Sequence, residues 1–214
     1  MKAVRVSAAS GAISNPRASI WQGALQESLE LMPTPLGLVE NISPYLALSD
    51  DHGQVERLQI AALHNGETIA LKLTWPVKTP SRTLSDLDQF SDGAAVIFPL
   101  AQGASAITMG ASGKPTNAWH WKANETEPYD VVAEGFSTSQ RRAAATSGLS
   151  ASAFYADGVW RLVFSRPLSV GPGMINFVPG TATGIALAIW AGENRERSGR
   201  KSFSGEFTPL QIAT

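Results

Sequence analysis

With 214 residues, 43% of them apolar, the chain can bury a sizeable core, which argues against a disordered chain. A formal net charge of -1, with no basic or acidic block, gives no electrostatic basis for binding nucleic acid or an anionic membrane surface. The cysteine count of zero excludes disulfides, Cys-ligated zinc, an iron–sulfur cluster on this chain and thioether attachment of a c-type haem. No apolar run reaches the length of a membrane span.

The N-terminal stretch MKAVRVSAASGAISN lacks the apolar core of a secretory signal. The chain therefore stays inside the cell, is a mature form, or is exported with a partner. Beyond it, period-two alternation dominates. Residues 58–63 (LQIAAL) read as a strand, and Asn65-Gly66 is a hairpin turn signal. Ile69, Leu71, Leu73 and Trp75 then share one strand face, with Thr68, Lys72 and Thr74 on the other. Residues 76–93, rich in turn formers, predict a long loop, as do 110–118 and 191–205. Long loops in a compact domain usually carry function.

The second of these loops lies within ITMGASGKPTNAWHWKA, residues 107–123. Met109 precedes a glycine-rich bend, and a strand-like W-H-W-K segment follows. Trp119 and Trp121 fall on one face of that segment, His120 and Lys122 on the other. Residues 134–150 are Ser/Ala/Thr-rich and read as loop or short helix. A second hairpin joins 152–156 to 159–165 through Asp157-Gly158, aligning Trp160, Leu162 and Phe164. Residues 184–190 (GIALAIW) carry apolar or small side chains on both faces, as expected of a buried central strand. After the loop that holds Lys201, 202–207 (SFSGEF) reads as a final strand. The fold class expected is all-β: one antiparallel β-sandwich over residues 1–214, with long loops and a few short helices.

Enzyme signatures are poorly supported. The glycines of 110–116 (GASGKPT) are too closely spaced for a Walker A loop, and Pro115 stands where Ser or Thr is needed. Ser198-Gly199-Arg200-Lys201 matches S-x-x-K without its companion motifs, and no G-x-S-x-G occurs. His52, His64 and His120 are not spaced as metal ligands. No pair of carboxylates stands out for glycoside hydrolysis. Met32 and Met174 read as packing residues.

Four stretches carry a family resemblance: IALKLTW (69–75), FSDGAAVIFP (90–99), residues 107–123, and GIALAIWAGENRERSGRKSFS (184–204). FYADGVWRLVFSRPL (154–168) adds a fifth. The sequence resembles the haem b (gamma) subunit of type II DMSO reductase-family molybdoenzymes, the group of ethylbenzene dehydrogenase, dimethyl sulfide dehydrogenase, and selenate and chlorate reductases. One departure is Pro76-Val77 after Trp75, where the family commonly shows an acidic residue. The resemblance implies one non-covalent haem b in a β-sandwich, with a methionine and a lysine as axial ligands. By motif these are Met109 and Lys201, with His120 as the rival ligand.

It also implies an electron-transfer subunit with no catalytic site of its own. The implied partners are a molybdopterin-containing catalytic subunit and an iron–sulfur subunit, making a heterotrimer, and a soluble cytochrome c or similar carrier. The implied location is the periplasm. Haem iron accepts a thioether and a nitrogen donor, but a lysine of pKa about 10.4 must lose its proton, at a cost of about 4–5 kcal/mol near pH 7. Arg195, Arg197 and Arg200 are candidates to oppose that charge or to meet the haem propionates. The competing expectation is a cofactor-free carbohydrate-binding or adhesive sandwich that displays its tryptophans.

Overall fold

The computed structural model describes residues 1–35, 37 and 51–214. In chain order its strands are β1 Lys2–Arg5, β2 Gln26–Glu30, β3 Met32–Pro33, β4 Arg57–His64, β5 Thr68–Pro76, β6 Gly93–Pro99, β7 Thr116–Lys122, β8 Tyr129–Ala133, β9 Gln140–Ala143, β10 Ser150–Ala156, β11 Val159–Pro167, β12 Ala182–Trp190, β13 Ser202–Phe203 and β14 Thr208–Ile212. Two one-turn helices, α1 Ser10–Ile13 and α2 Ala144–Ser147, are the α-helical content among the described residues.

Both hairpins read from the sequence form. Asn65 Oδ1 accepts from the backbone N–H of Glu67 at 3.1 Å and of Thr68 at 2.8 Å, which closes the β4–β5 turn over Gly66. Asp157 and Gly158 both take positive φ, 54° and 74°, the geometry of a two-residue turn that matches strand twist. One layer runs β10–β11–β5–β4, with β2 and β1 sharing the far edge of β4. The other runs β12–β6–β7–β8–β9. Strand β12 joins the two: residues 182–185 pair with β14, and 186–190 pair with β6. Pairing is antiparallel except at β1, which lies parallel to both β4 and β14. The final strand begins at Thr208 rather than within 202–207, where only Ser202–Phe203 pair with β12 and β3.

The core lies between the layers, because alternate residues of every long strand point there. Trp75, Trp121 and Trp160 form one aromatic cluster, with ring centroids 5.0–6.3 Å apart. Phe98, Trp119, Phe164 and Phe177 form a second. Asn117 and Asp130 also face inward, where Asn117 Nδ2 donates to Asp130 Oδ1 and to the Val131 carbonyl. Asp130 reaches across to Arg166 of β11 at 3.5 Å, and both side chains are fully buried. This polar cluster fixes which residues of β7 and β8 face the core, since a one-residue slip would turn Asn117 and Asp130 outward. With 117, 119 and 121 committed inward, 118, 120 and 122 must face the other way.

Candidate functional site

The outward face of the second layer is where the long loops gather. Ile97, Ala118, Val131 and Arg141 lie in one row across β6 to β9; Ala95, His120 and Tyr129 lie in the next, and Gly93 and Lys122 in a third. Gly93, Ala95 and Ala118 leave the middle of this face without bulk. Loop residues from 84–91, 109, 136–139 and 196–201 stand around the hollow. The result is a cleft of about 570 Å³ lined by Met109, His120 and Lys201 together, within the range of about 300–1,000 Å³ usual for small-molecule sites.

Met109 is held in an uncommon conformation. Its φ is +59°, in the left-handed region, which costs a non-glycine residue about 1–3 kcal/mol and persists where surroundings over-determine it. Those surroundings are visible. The Met109 N–H donates to the Ala106 carbonyl at 3.2 Å, and its own carbonyl accepts from Gly135 N–H at 3.1 Å. Gly110 follows at φ +93°, and a Cβ there would stand 2.7 Å from the Ala133 carbonyl and 2.8 Å from that of Lys114. Only glycine fits, so the Met-Gly order of the motif is a packing requirement.

Lys201 comes from a loop that is clamped rather than loose. The buried Glu196 carboxylate accepts from the backbone N–H groups of Gly53, Gln54 and Ala191, at 2.7, 3.0 and 2.9 Å. Asp92, also buried, accepts from the N–H of Gly192 at 2.8 Å, the N–H of Ser81 at 2.9 Å and Trp160 Nε1 at 2.8 Å. A Cβ on Gly192 would lie 2.1 Å from the Phe90 carbonyl. The acidic residue of the FSDGAAVIFP stretch thus ties two cleft loops to the sandwich. The Lys201 ammonium group stands 5.2 Å from the centre of the Trp190 ring. No carboxylate of a described residue pairs with it. Desolvation without a partner pushes its pKa down to about 8.

His120 shares the cleft, its ring 5.0 Å from Trp190. Burial, followed by the positive charges of Lys122, Arg141 and Lys201, pushes its pKa down to about 3, so it is neutral at pH 7. It keeps a nitrogen lone pair and remains chemically able to ligate. His64 is buried at the end of β4, and His52 Nε2 lies 2.7 Å from the Thr34 carbonyl; neither lines the cleft. Among the described residues no group of three or more His, Asp or Glu side chains is placed to hold a bare metal ion.

Trp119 and Trp121 belong to the core, which leaves the His120 and Lys122 face to border the cleft. Of the three arginines singled out in 195–200, Arg197 lines the cleft with its guanidinium 4.3 Å over the Phe90 ring. Arg195 is instead engaged with Asp88 at 3.0 Å on the surface. Arg200 is not among the lining residues. Met32, read as packing, is half exposed on β3, whereas Met174 is buried. Sequence reasoning missed Arg141, because 134–150 shows no strand alternation. It also missed Glu196 and Asp92, whose value rests on backbone donors far away in sequence.

A β-sandwich that carries a loop-walled cleft on one outer sheet face, with a thioether and a buried amine among its walls, is a ligand-holding module. The family model described as "Ethylbenzene dehydrogenase" matches residues 18–154 and 146–202, and the chain belongs to that family. It is 32% identical over 210 residues to the chlorate reductase subunit gamma of Ideonella dechloratans, covering 97% of this chain and 83% of that one. It is 31% identical over 192 residues to a putative respiratory nitrate reductase heme subunit of Haloferax mediterranei, covering 88% of this chain and 65% of that one. A solved structure of a putative carbohydrate-binding protein from Bacteroides uniformis superposes with a TM-score of 0.59 at 10% identity, covering 99% of this chain and 98% of that one, and so shares the fold.

Proposed function

We propose that the chain is the haem-carrying electron-transfer subunit of a molybdoenzyme complex, that it holds one b-type haem non-covalently in the cleft, and that it has no catalytic site of its own. The observation that carries this reading is that Met109 and Lys201, far apart in sequence, are walls of one cleft. The donor set suits the group. The thioether is a soft ligand that favours ferrous iron. An amine with a lowered pKa and no carboxylate partner among the described residues gives up its proton to a metal more readily than a solvated lysine does. With no cysteine in the chain, attachment through thioether bonds is impossible, which leaves the b-type mode.

Met109 and Lys201 would take the two axial positions, and a haem so ligated supplies reversible one-electron transfer with no open coordination site. The protein's part is to hold: the strained Met109 turn and the Glu196-anchored loop present both donors on fixed backbone. By kinship with the gamma and heme subunits, the partners are a molybdopterin-containing catalytic subunit and an iron–sulfur subunit. The external carrier is a soluble cytochrome c or similar protein, and the location is the periplasm. Purification of the chain with haem, followed by absorption spectroscopy, tests the reading. A low-spin Soret band with α/β bands, lost on acid–acetone extraction, is expected. A colourless protein that binds sugar would instead support the carbohydrate-binding alternative. An unaltered haem spectrum in Lys201→Ala would transfer the ligand role to His120.

A further inference from the structure

The cleft is cationic on one side, and nothing in the ligation scheme uses that charge. Lys122 closes β7, and Arg141 lies on the edge strand β9; both line the cleft. They converge on a shared ring: the Arg141 guanidinium lies 4.2 Å and the Lys122 ammonium 5.9 Å from the centre of Tyr129. Neither forms an ion pair with a carboxylate of a described residue. The acidic residue nearest in register, Asp130, points to the opposite face of the sheet and is taken up by Arg166. Glu196, the carboxylate among the cleft walls, is spent on backbone N–H groups. Glu125 is solvent-exposed and meets the Tyr129 phenol, as Arg141 does, but forms no ion pair with either cation.

Two cations that flank one aromatic ring from the rows on either side of it, on a sheet rather than on a loop and with no carboxylate ion pair among the described residues, form a preorganised receptor for two carboxylates. We infer that Lys122 and Arg141 are the carboxylate clamp of the cleft and take the two propionate groups of the bound haem. This rests on the haem reading above. It places the polar edge of the ligand towards β7–β9, and the arginine-rich loop 195–200 is not its main anchor. The planar guanidinium of Arg141 suits bidentate contact with one carboxylate, and the Lys122 ammonium acts as a point charge for the other.

The test compares the chain's affinity for haem with its affinity for haem dimethyl ester, which keeps the macrocycle and iron but cannot present carboxylates. Soret titration of the full chain with each compound gives the two dissociation constants. Wild type is expected to prefer the free acid. Arg141→Gln and Lys122→Gln are each expected to weaken free-acid binding by about tenfold while ester binding stays as in wild type. The double variant is expected to lose the preference. Unchanged ester affinity is a result that a merely structural role for either residue would not give. If wild type binds haem but the variants keep its acid-over-ester preference, the clamp is wrong and the haem reading stands. Loss of that preference in Arg197→Gln alone would likewise overturn the clamp and move it to the loop. Failure of wild type to bind either compound would remove both readings.

Discussion

Asp92 accepts hydrogen bonds from three separate parts of the chain, the Ser81 and Gly192 backbones and the Trp160 indole. Removing the carboxylate leaves two buried donors and one half-buried donor orphaned, each buried one costing about 1–3 kcal/mol. Asp92→Ala is therefore expected to lower unfolding free energy by about 3 kcal/mol or more, measured by urea denaturation, and to weaken haem binding as the Lys201 loop loosens. Wild-type stability in that variant would contradict the clamp role given to Asp92. His64 supplies a pH signature away from the cleft. Burial, with the charge of Arg5 adding to it, holds its pKa below the ordinary 6.5. Below pH 6.5 the unfolded chain takes up a proton that the folded chain resists. Stability from this group is thus fully present above pH 6.5 and is lost as pH falls towards the depressed folded value. Denaturation at pH 7 and 5.5 should show a decline in wild type that is flatter in His64→Gln; equal declines would show that His64 is not the cause. Met109, Lys201 and His120 were legible as candidates because their motif surroundings are distinctive. Arg141 was not, since its role depends on β9 pairing with β8, which no local pattern announces.

Strand β7 decides the site by parity. Its inward members Asn117, Trp119 and Trp121 are fixed by the aromatic clusters and by the buried contacts among Asn117, Asp130 and Arg166. Its outward members then build the cleft floor. Asp130→Ala would leave the Arg166 guanidinium buried and uncompensated, a loss of about 3–5 kcal/mol, while an apolar replacement of both partners together should recover much of it. A double-mutant cycle by thermal or urea unfolding measures this, and additive effects of the two substitutions would show that they do not interact. At this scale the sequence carried the hairpins, because Asn65-Gly66 and Asp157-Gly158 are local signals with a known turn geometry. It carried the central position of β12 through its two-faced apolar run. It did not carry the double pairing of β12, the parallel placement of β1, or the short β3–β13 pair. Those contacts close long loops and depend on partners far off in sequence, which alternation does not encode.

The described residues form a sandwich with one face turned into a holder. Two carboxylates, Asp92 and Glu196, lock the walls of that holder to the core. No helix among the described residues is long and apolar enough to cross a membrane. The chain must then bind a haem through two donors supplied by two different loops, one after β6 and one after β12. Each donor should then be separately necessary for a six-coordinate iron, while neither is needed for the fold. The most direct measurement is the absorption spectrum of haem-loaded wild type beside Met109→Ala and Lys201→Ala, with circular dichroism to verify the sandwich in each. The expected result is a low-spin, six-coordinate spectrum in wild type and its conversion to a high-spin or haem-free form in both variants, with β-sheet content unchanged. A wild-type spectrum that survives either substitution would contradict the account.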